Sequence, residues 1–184
     1  MDLTGKLLIA MPGMGDPRFE HAVLLICAHN PEGAMGVVIN KPAPDLDLRD
    51  LFAQLGIHHG ATLPAVPVQL GGPVELSRGF VLHSNEWEGE GGSLAVTSAL
   101  SLTSTRDILE AIGQGLGPDN AILALGYAGW GPGQLEGEIL QNVWLTADLD
   151  DRIIFREPNV RKWEEALHGL GIDPMTLSAT AGHA

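Results

Sequence analysis

Short apolar runs, broken by glycine and proline, set the pattern of this chain. Residues 7–10 are apolar and stop at Met11-Pro12-Gly13, which reads as a strand followed by a turn. Residues 22–28 are apolar without a break, as a strand buried on both faces would be. The turn cluster His29-Asn30-Pro31-Glu32-Gly33 separates them from a second strand over 34–40, so a hairpin is predicted. Lys41-Pro42 ends that strand, because proline cannot donate to a ladder. Leu48, Leu51, Phe52 and Leu55 then recur at helical spacing as one buried stripe. Asp47 is placed to cap this helix and Gly56 to stop it.

Residues 57–65 read as a surface loop. Residues 66–70 and 79–83 read as strands around Gly71-Gly72-Pro73, and 94–97 as another short strand. The stretch 86–92 is acidic, rich in glycine and expected to be exposed. Ser104 and Asp107 resemble a capping box, with Ile108, Ala111 and Ile112 as the apolar face of the helix that follows. A strand over 121–127 leads through the glycine-rich turn 129–133 into a helix over 134–141. Short strands are expected at 143–146 and 153–155. Val160, Trp163, Ala166, Leu167 and Leu170 mark the stripe of a last long helix. Strands and helices alternate irregularly, so the elements predict an α/β fold with helices packed on a mixed sheet.

Length and charge narrow the partners more than the fold. At 184 residues the chain suits a single domain able to bury roughly 70% of its unfolded surface. Asp and Glu number 23 against 10 Lys and Arg, a formal charge of −13. Direct nucleic-acid binding is disfavoured, since phosphate contact needs a basic footprint. The lone Cys27 sits in the apolar run and reads as a small buried side chain rather than a nucleophile. The run ending at Pro12 is too short for an export signal, and residues 22–28 are far short of the ~20 a membrane helix needs. A cytoplasmic protein without membrane contact is expected.

The unit 121–141 is the most distinctive stretch. Gly126, Gly129, Gly131 and Gly133 let backbone approach closely, and a helix start after such a turn can hold an anion. The spacing is neither a P-loop nor a dinucleotide fingerprint. Gln134, Glu138 and Gln141 share one helix face. The seven histidines have no metal-ligand spacing, so no metal and no cofactor are expected. No G-x-S-x-G elbow exists, and Ser77, Ser84 and Ser93 have no readable triad, so no catalytic residue is assigned. His83, at a strand end, is the one candidate proton carrier.

Several motifs together resemble the YqgE/AlgH family of bacterial proteins. They are Leu8-Ile9-Ala10-Met11-Pro12 with Asp16-Pro17 and Phe19, then residues 33–42, Gly71-Gly72-Pro73-Val74, residues 79–83, and residues 125–136 with Glu138, Asn142 and Trp144. Trp163, Ala166-Leu167 and the closing Ala181-Gly182-His183-Ala184 complete the resemblance. It implies a single-domain α/β sandwich over residues 1–184, with a mixed, largely antiparallel sheet flanked by helices. Some members carry the label of transcriptional regulator, and the family's reaction is not established. The resemblance also implies that Asn40, Pro42, Gly72, Trp130, Gln134 and Asn142 frame a shallow, partly apolar surface.

Two readings follow, with a transcriptional regulator as a weaker third. In the first, an interaction or regulatory protein uses this surface near 34–42 and 126–144, with Tyr127, Trp130 and Trp144 as aromatic anchors for an unknown protein partner. In the second, a small-ligand-binding protein or an enzyme uses the same region, with Gln134 and Glu138 orienting a small molecule and His83 moving a proton. Asn40 is further expected to neighbour the 129–142 unit, and Asn142 to pin it structurally through buried partners.

Overall fold

The computed structural model describes residues 1–181; Gly182, His183 and Ala184 of the closing motif lie outside them. The strands are β1 (Leu7–Ala10), β2 (Val23–Asn30), β3 (Gly33–Val38), β4 (Val68–Leu70), β5 (Val74–Ser84), β6 (Leu94–Ala95), β7 (Leu100–Thr103), β8 (Ala121–Trp130) and β9 (Trp144–Ala147). The helices are α1 (Leu48–Leu55), α2 (Arg106–Gly113), α3 (Gln134–Leu140), α4 (Asp151–Phe155), α5 (Asn159–Gly169) and α6 (Pro174–Ala181). The nine strands form one sheet in the order β6-β7-β5-β8-β3-β2-β1-β9, with β4 also on β8. Every pairing between named strands is antiparallel except β4 with β8, so the sheet is mixed and largely antiparallel.

β8 holds the sheet together. One of its edges pairs with β5. Its other edge is shared: β4 takes Leu123 to Leu125 and β3 takes Ala128 to Trp130. Gly126, at φ 75°, sits at the change of partner. The gap is closed by Gly71, whose amide donates to Leu125 and whose carbonyl accepts from Val38, both at 2.8 Å. This crossing demands bare backbone. A Cβ on Gly71 would lie 2.4 Å from the Gly126 carbonyl oxygen, and one on Gly72 would lie 2.1 Å from the Tyr127 carbonyl carbon.

Three apolar clusters fill the layers. The central one joins β1, β2 and β3 to β5, β7 and β8, and is covered by α4 and α5. A second packs Leu135 of α3 against Leu8, Leu24 and Trp144. The third packs α1 and α2 on the far half of the sheet.

The hydrophobic pattern located most elements, and its failures have physical causes. Residues 153–155 are helical, not a strand: the Asp150 carboxylate caps α4 by accepting from the Arg152 amide, and this outweighs the β-branched Ile153-Ile154. The expected capping box at Ser104 is absent. α2 starts after Thr105, and Asp107 instead takes the Glu90 amide at 3.1 Å. The capping box belongs to α1, where Asp47 and Asp50 exchange bonds with each other's amides. In α1 only Leu48 and Phe52 of the expected stripe are buried, while Leu55 is exposed. β7 and α6 had no expectation attached to them.

The α5 stripe is rotated from the expected one. Val160 is 89% exposed, and its place is taken by Lys162, which is 2% exposed. The Lys162 ammonium donates to the carbonyls of Ile39 at 2.7 Å and Ile154 at 2.8 Å, tying the end of β3 to α4. Burial pulls its pKa down to about 8.

Candidate functional site

The site grows from the end of β8. Trp130 is its last residue and pairs with Ala34 of β3. The chain then turns through Gly133 in the left-handed region, and the Gly131 amide donates to Gln134 Oε1 at 3.0 Å. That amide is therefore satisfied by the helix's own first side chain. One turn later Glu138 faces back, and Trp130 Nε1 donates to Glu138 Oε2 at 2.8 Å. Trp144 of β9 packs edge-on to Trp130 and to Phe19, with centroids 6.3 and 5.7 Å apart. Its indole N–H is buried and has no acceptor among the described residues.

α3 ends in a Schellman arrangement. The Asn142 amide donates to Ile139 at 3.0 Å, the Val143 amide to Glu138 at 2.9 Å, and Asn142 itself has φ 59°. The Asn142 side chain is exposed, so its contribution is conformational and the expected buried partners are not there. Asn142→Gly should leave the urea midpoint unchanged or raise it slightly. Asn142→Ala should lower stability by about 1 kcal/mol, because alanine lacks the short polar side chain that lets asparagine tolerate left-handed backbone.

Two concavities flank the β3–β8 seam on opposite faces. One, of about 630 Å³, has Met35, Phe80 and Tyr127 as its floor and Arg78 stacked over Phe80. The other, of about 330 Å³, has Trp130, Trp144, Phe19 and Pro73 as its floor, with Gln134 and Glu138 on its wall. Arg18, Phe19 and Pro73 also line a third concavity of about 480 Å³, which contains Val38, Leu70, Leu76, Gly72 and Lys41. The last two thus form one groove, from the paired tryptophans to the Leu70 end of β4.

The groove brings together Gly72, Trp130, Gln134, Glu138 and Trp144 of the expected residues. Tyr127 points to the opposite face, as strand alternation requires. Asn40 is buried, accepting from the Val23 amide at 2.9 Å and donating to the His21 carbonyl at 2.8 Å. No hydrogen bond joins it to the 129–142 unit; its amide is spent on residues 21 and 23. Pro42 bridges to Gln69 beside it. His83 is buried in the far half of the sheet and lines neither part of the groove. Cys27 is buried too, and burial pushes its thiol up to about 12, so it is no thiolate nucleophile near neutral pH. Among the described residues no group of three or more His, Cys, Asp or Glu could hold a metal, and no helix is long and apolar enough to cross a membrane.

The family model described as AlgH-like (DUF179) matches residues 7–175. The chain belongs to the AlgH-like family. A UPF0301 protein of Paracoccus denitrificans is 57% identical over 185 residues, covering 100% of this chain and 97% of that protein. One from Ruegeria pomeroyi is also 57% identical and covered in full. The solution structure of the AlgH protein from Pseudomonas aeruginosa is similar across 100% of this chain and 97% of that one, at 39% identity and a TM-score of 0.79. A crystal structure of a Corynebacterium diphtheriae protein, 20% identical with a TM-score of 0.73 over 90% of this chain and 86% of that one, shares the fold. The AlgH-like membership accounts for the motifs along β3, β8 and α3.

The groove's other wall was missed from sequence. Arg18, Pro73, Leu70 and Leu76 are remote in the chain and converge only because β4 and β5 meet at β8. The one local signal was Val74-Glu75-Leu76-Ser77, an apolar-polar alternation with no partner strand in view. In the structure Glu75 has φ 50° and the β5–β8 register slips between Val74 and Gly79, which leaves Leu76 54% exposed.

Proposed function

We propose that this is a cytosolic interaction protein whose groove seats an apolar segment of a partner protein. The observation that carries this reading is the line of accessible apolar side chains, Phe19, Leu70, Pro73 and Leu76, along an open groove. Charge refines the partner. Arg18 and Lys41 both line the groove in a chain whose net charge is −13. Arg18 pairs with Asp16 on the surface, a contact of low worth in water, and its guanidinium lies over the Phe19 ring at 5.8 Å. A segment with apolar anchors and an acidic residue fits both features. A regulatory role would follow from occupancy of the groove, by competition or by sequestration.

The test is affinity selection from a random peptide library, with hits titrated against isotope-labelled protein. Selected peptides should be apolar with an acidic position, and should shift the resonances of residues 18–19 and 70–76. Leu76→Asp should weaken them at least tenfold, since it places a charge in the contact, while leaving the melting temperature within a degree or two because Leu76 is half exposed. Peptides that bind the Leu76→Asp protein equally well would end this reading.

A second reading rests on Trp144. A buried indole N–H without an acceptor, beside a concavity of about 330 Å³, favours a small ligand bearing a hydrogen-bond acceptor. A thermal-shift screen of small carbonyl and carboxylate compounds checks it. A stabilising hit that is lost in Trp144→Phe supports it, and a hit indifferent to that change does not.

A further inference from the structure

Away from the groove, β5, β6 and β7 align three side chains. Leu94 pairs with Leu102 across β6 and β7, so Ser93 meets Thr103 one step further along. Thr103 in turn pairs with Val81 of β5, beside His83. Ser93 Oγ lies 2.5 Å from Thr103 Oγ1, and Thr103 Oγ1 lies 2.7 Å from His83 Nε2. His83 Nδ1 lies 2.8 Å from the Ser84 carbonyl oxygen. That carbonyl can only accept, so Nδ1 carries the ring proton and Nε2 offers its lone pair. Thr103 then donates to Nε2, and with its own proton committed it accepts from Ser93. One carbonyl thus fixes the direction of the whole chain: the Ser93 proton points inward and its lone pairs point outward.

Outward lies a concavity of about 350 Å³, lined by Ser93 with Asn85, Trp87, Glu88 and Ser101. His83 and Thr103 are buried behind it, while Ser93 is exposed. The Trp87 ring stands edge-on to His83 at 5.7 Å and forms an aromatic wall. The charged group facing His83 is Glu86, whose carboxylate accepts from Ser84 Oγ at 2.7 Å. Burial holds the imidazole below its ordinary pKa, so it is neutral, and able to accept a proton, near pH 7.

We propose that Ser93 is a nucleophile for acyl transfer, served by Thr103 as relay and His83 as terminal base. Ser93 Oγ forms a bond to the acyl carbon and the bond from that carbon to the leaving oxygen breaks. The Ser93 proton passes to Thr103 as the Thr103 proton passes to His83 Nε2, and the leaving group departs as its anion. Water then attacks the acyl carbon and releases its proton to solvent. Ser93 regains its proton from His83 through Thr103, and the acid is set free. Glu88 on the rim, with Glu86 and Glu90 in the same loop, disfavours anionic donors. The substrate class is therefore a small neutral or cationic activated ester.

The test uses the full chain with p-nitrophenyl acetate. Wild type should release p-nitrophenolate in a burst and carry one acetyl group, mapped to Ser93 by peptide mass. Ser93→Ala should show neither. Thr103→Val keeps the buried shape but breaks the relay, and should slow acetylation about 100-fold; Thr103→Ser should restore it, with folding of each variant checked by circular dichroism. The rate should also fall as the pH drops through the His83 ionisation, and acetyl phosphate, an anionic donor, should react more slowly. A wild type that stays unlabelled, a label that persists in Ser93→Ala, or a Thr103→Val protein that reacts at the wild-type rate would each overturn the proposal.

Discussion

Gly72→Ala should be among the most damaging single substitutions in the chain, lowering stability by about 4 kcal/mol or more. The added Cβ would lie 2.1 Å from the Tyr127 carbonyl carbon and 2.4 Å from the Ala128 amide nitrogen. Both neighbours are backbone of the central strand, so no side chain can swing aside to relieve the contact. Gly72 also has φ 156°, a conformation that adds strain of about 1–3 kcal/mol for a residue with a side chain. Overpacking in a well-filled site adds about 1–3 kcal/mol again. Relief requires the 71–73 turn to lift from β8, which would break the Gly71 bonds to Leu125 and Val38. Gly137→Ala is the matched control. It lies in α3 with nothing within 4 Å of the added atom, and should gain up to about 1 kcal/mol from helix propensity. Urea midpoints of the two variants check the claim. A Gly72→Ala protein as stable as wild type would refute the close crossing of 71–73 over β8.

Raising the pH from 8 toward 10.5 should stabilise the protein through Lys162. In the unfolded chain this amine holds its proton up to its ordinary value of 10.5, whereas in the folded chain it releases it at about 8. Between those values the unfolded state binds more protons, so stability rises with pH. The full difference corresponds to about 3 kcal/mol at most. Below pH 8 both states are charged, and the folded state carries the whole desolvation penalty. The neutral amine still donates to Ile39 and Ile154, so deprotonation removes the penalty without losing the contacts. The measurement is the slope of wild type minus that of Lys162→Met across pH 7 to 10, which isolates the contribution of this one amine. Equal slopes would show that Lys162 does not titrate early.

The strands of the first third and helices α1, α3 and α5 could be read from the chain because each carries its own local signal. A capping Asp, a glycine stop or an unbroken apolar run needs no distant partner. β4's parallel seat on β8 has no such signal, since the register of a three-residue strand is set by what it meets. Lys162 defeats pattern reading for a related reason. Its position on the apolar stripe of α5 looks like a solvated flank until two carbonyls from other elements are placed over it. The candidate site divides the same way. Trp130, Gln134 and Glu138 lie within one strand–turn–helix unit, so their grouping is legible in the chain. Asn40 was placed beside that unit because it closes β3, yet its amide serves residues 21 and 23. The Ser93–Thr103–His83 line joins three segments that only the β5–β7–β6 register brings together.

The double duty of β8 also bears on how the molecule is made. During synthesis β3, β4 and β5 all leave the ribosome before the strand that each must join. The β1–β2–β3 meander can close early, but β4 and most of β5 wait with open edges until residues 121–130 emerge. Folding is thus dominated by long-range pairing, which is slow, and the waiting edges are exposed to other chains. A chain truncated before Ala121 is expected to aggregate, whereas one truncated after Ala147 keeps every partner of the sheet; comparing their soluble yields measures it. What the finished fold uses as its central beam is, for the nascent chain, a late arrival, and protection against aggregation must be supplied until it comes.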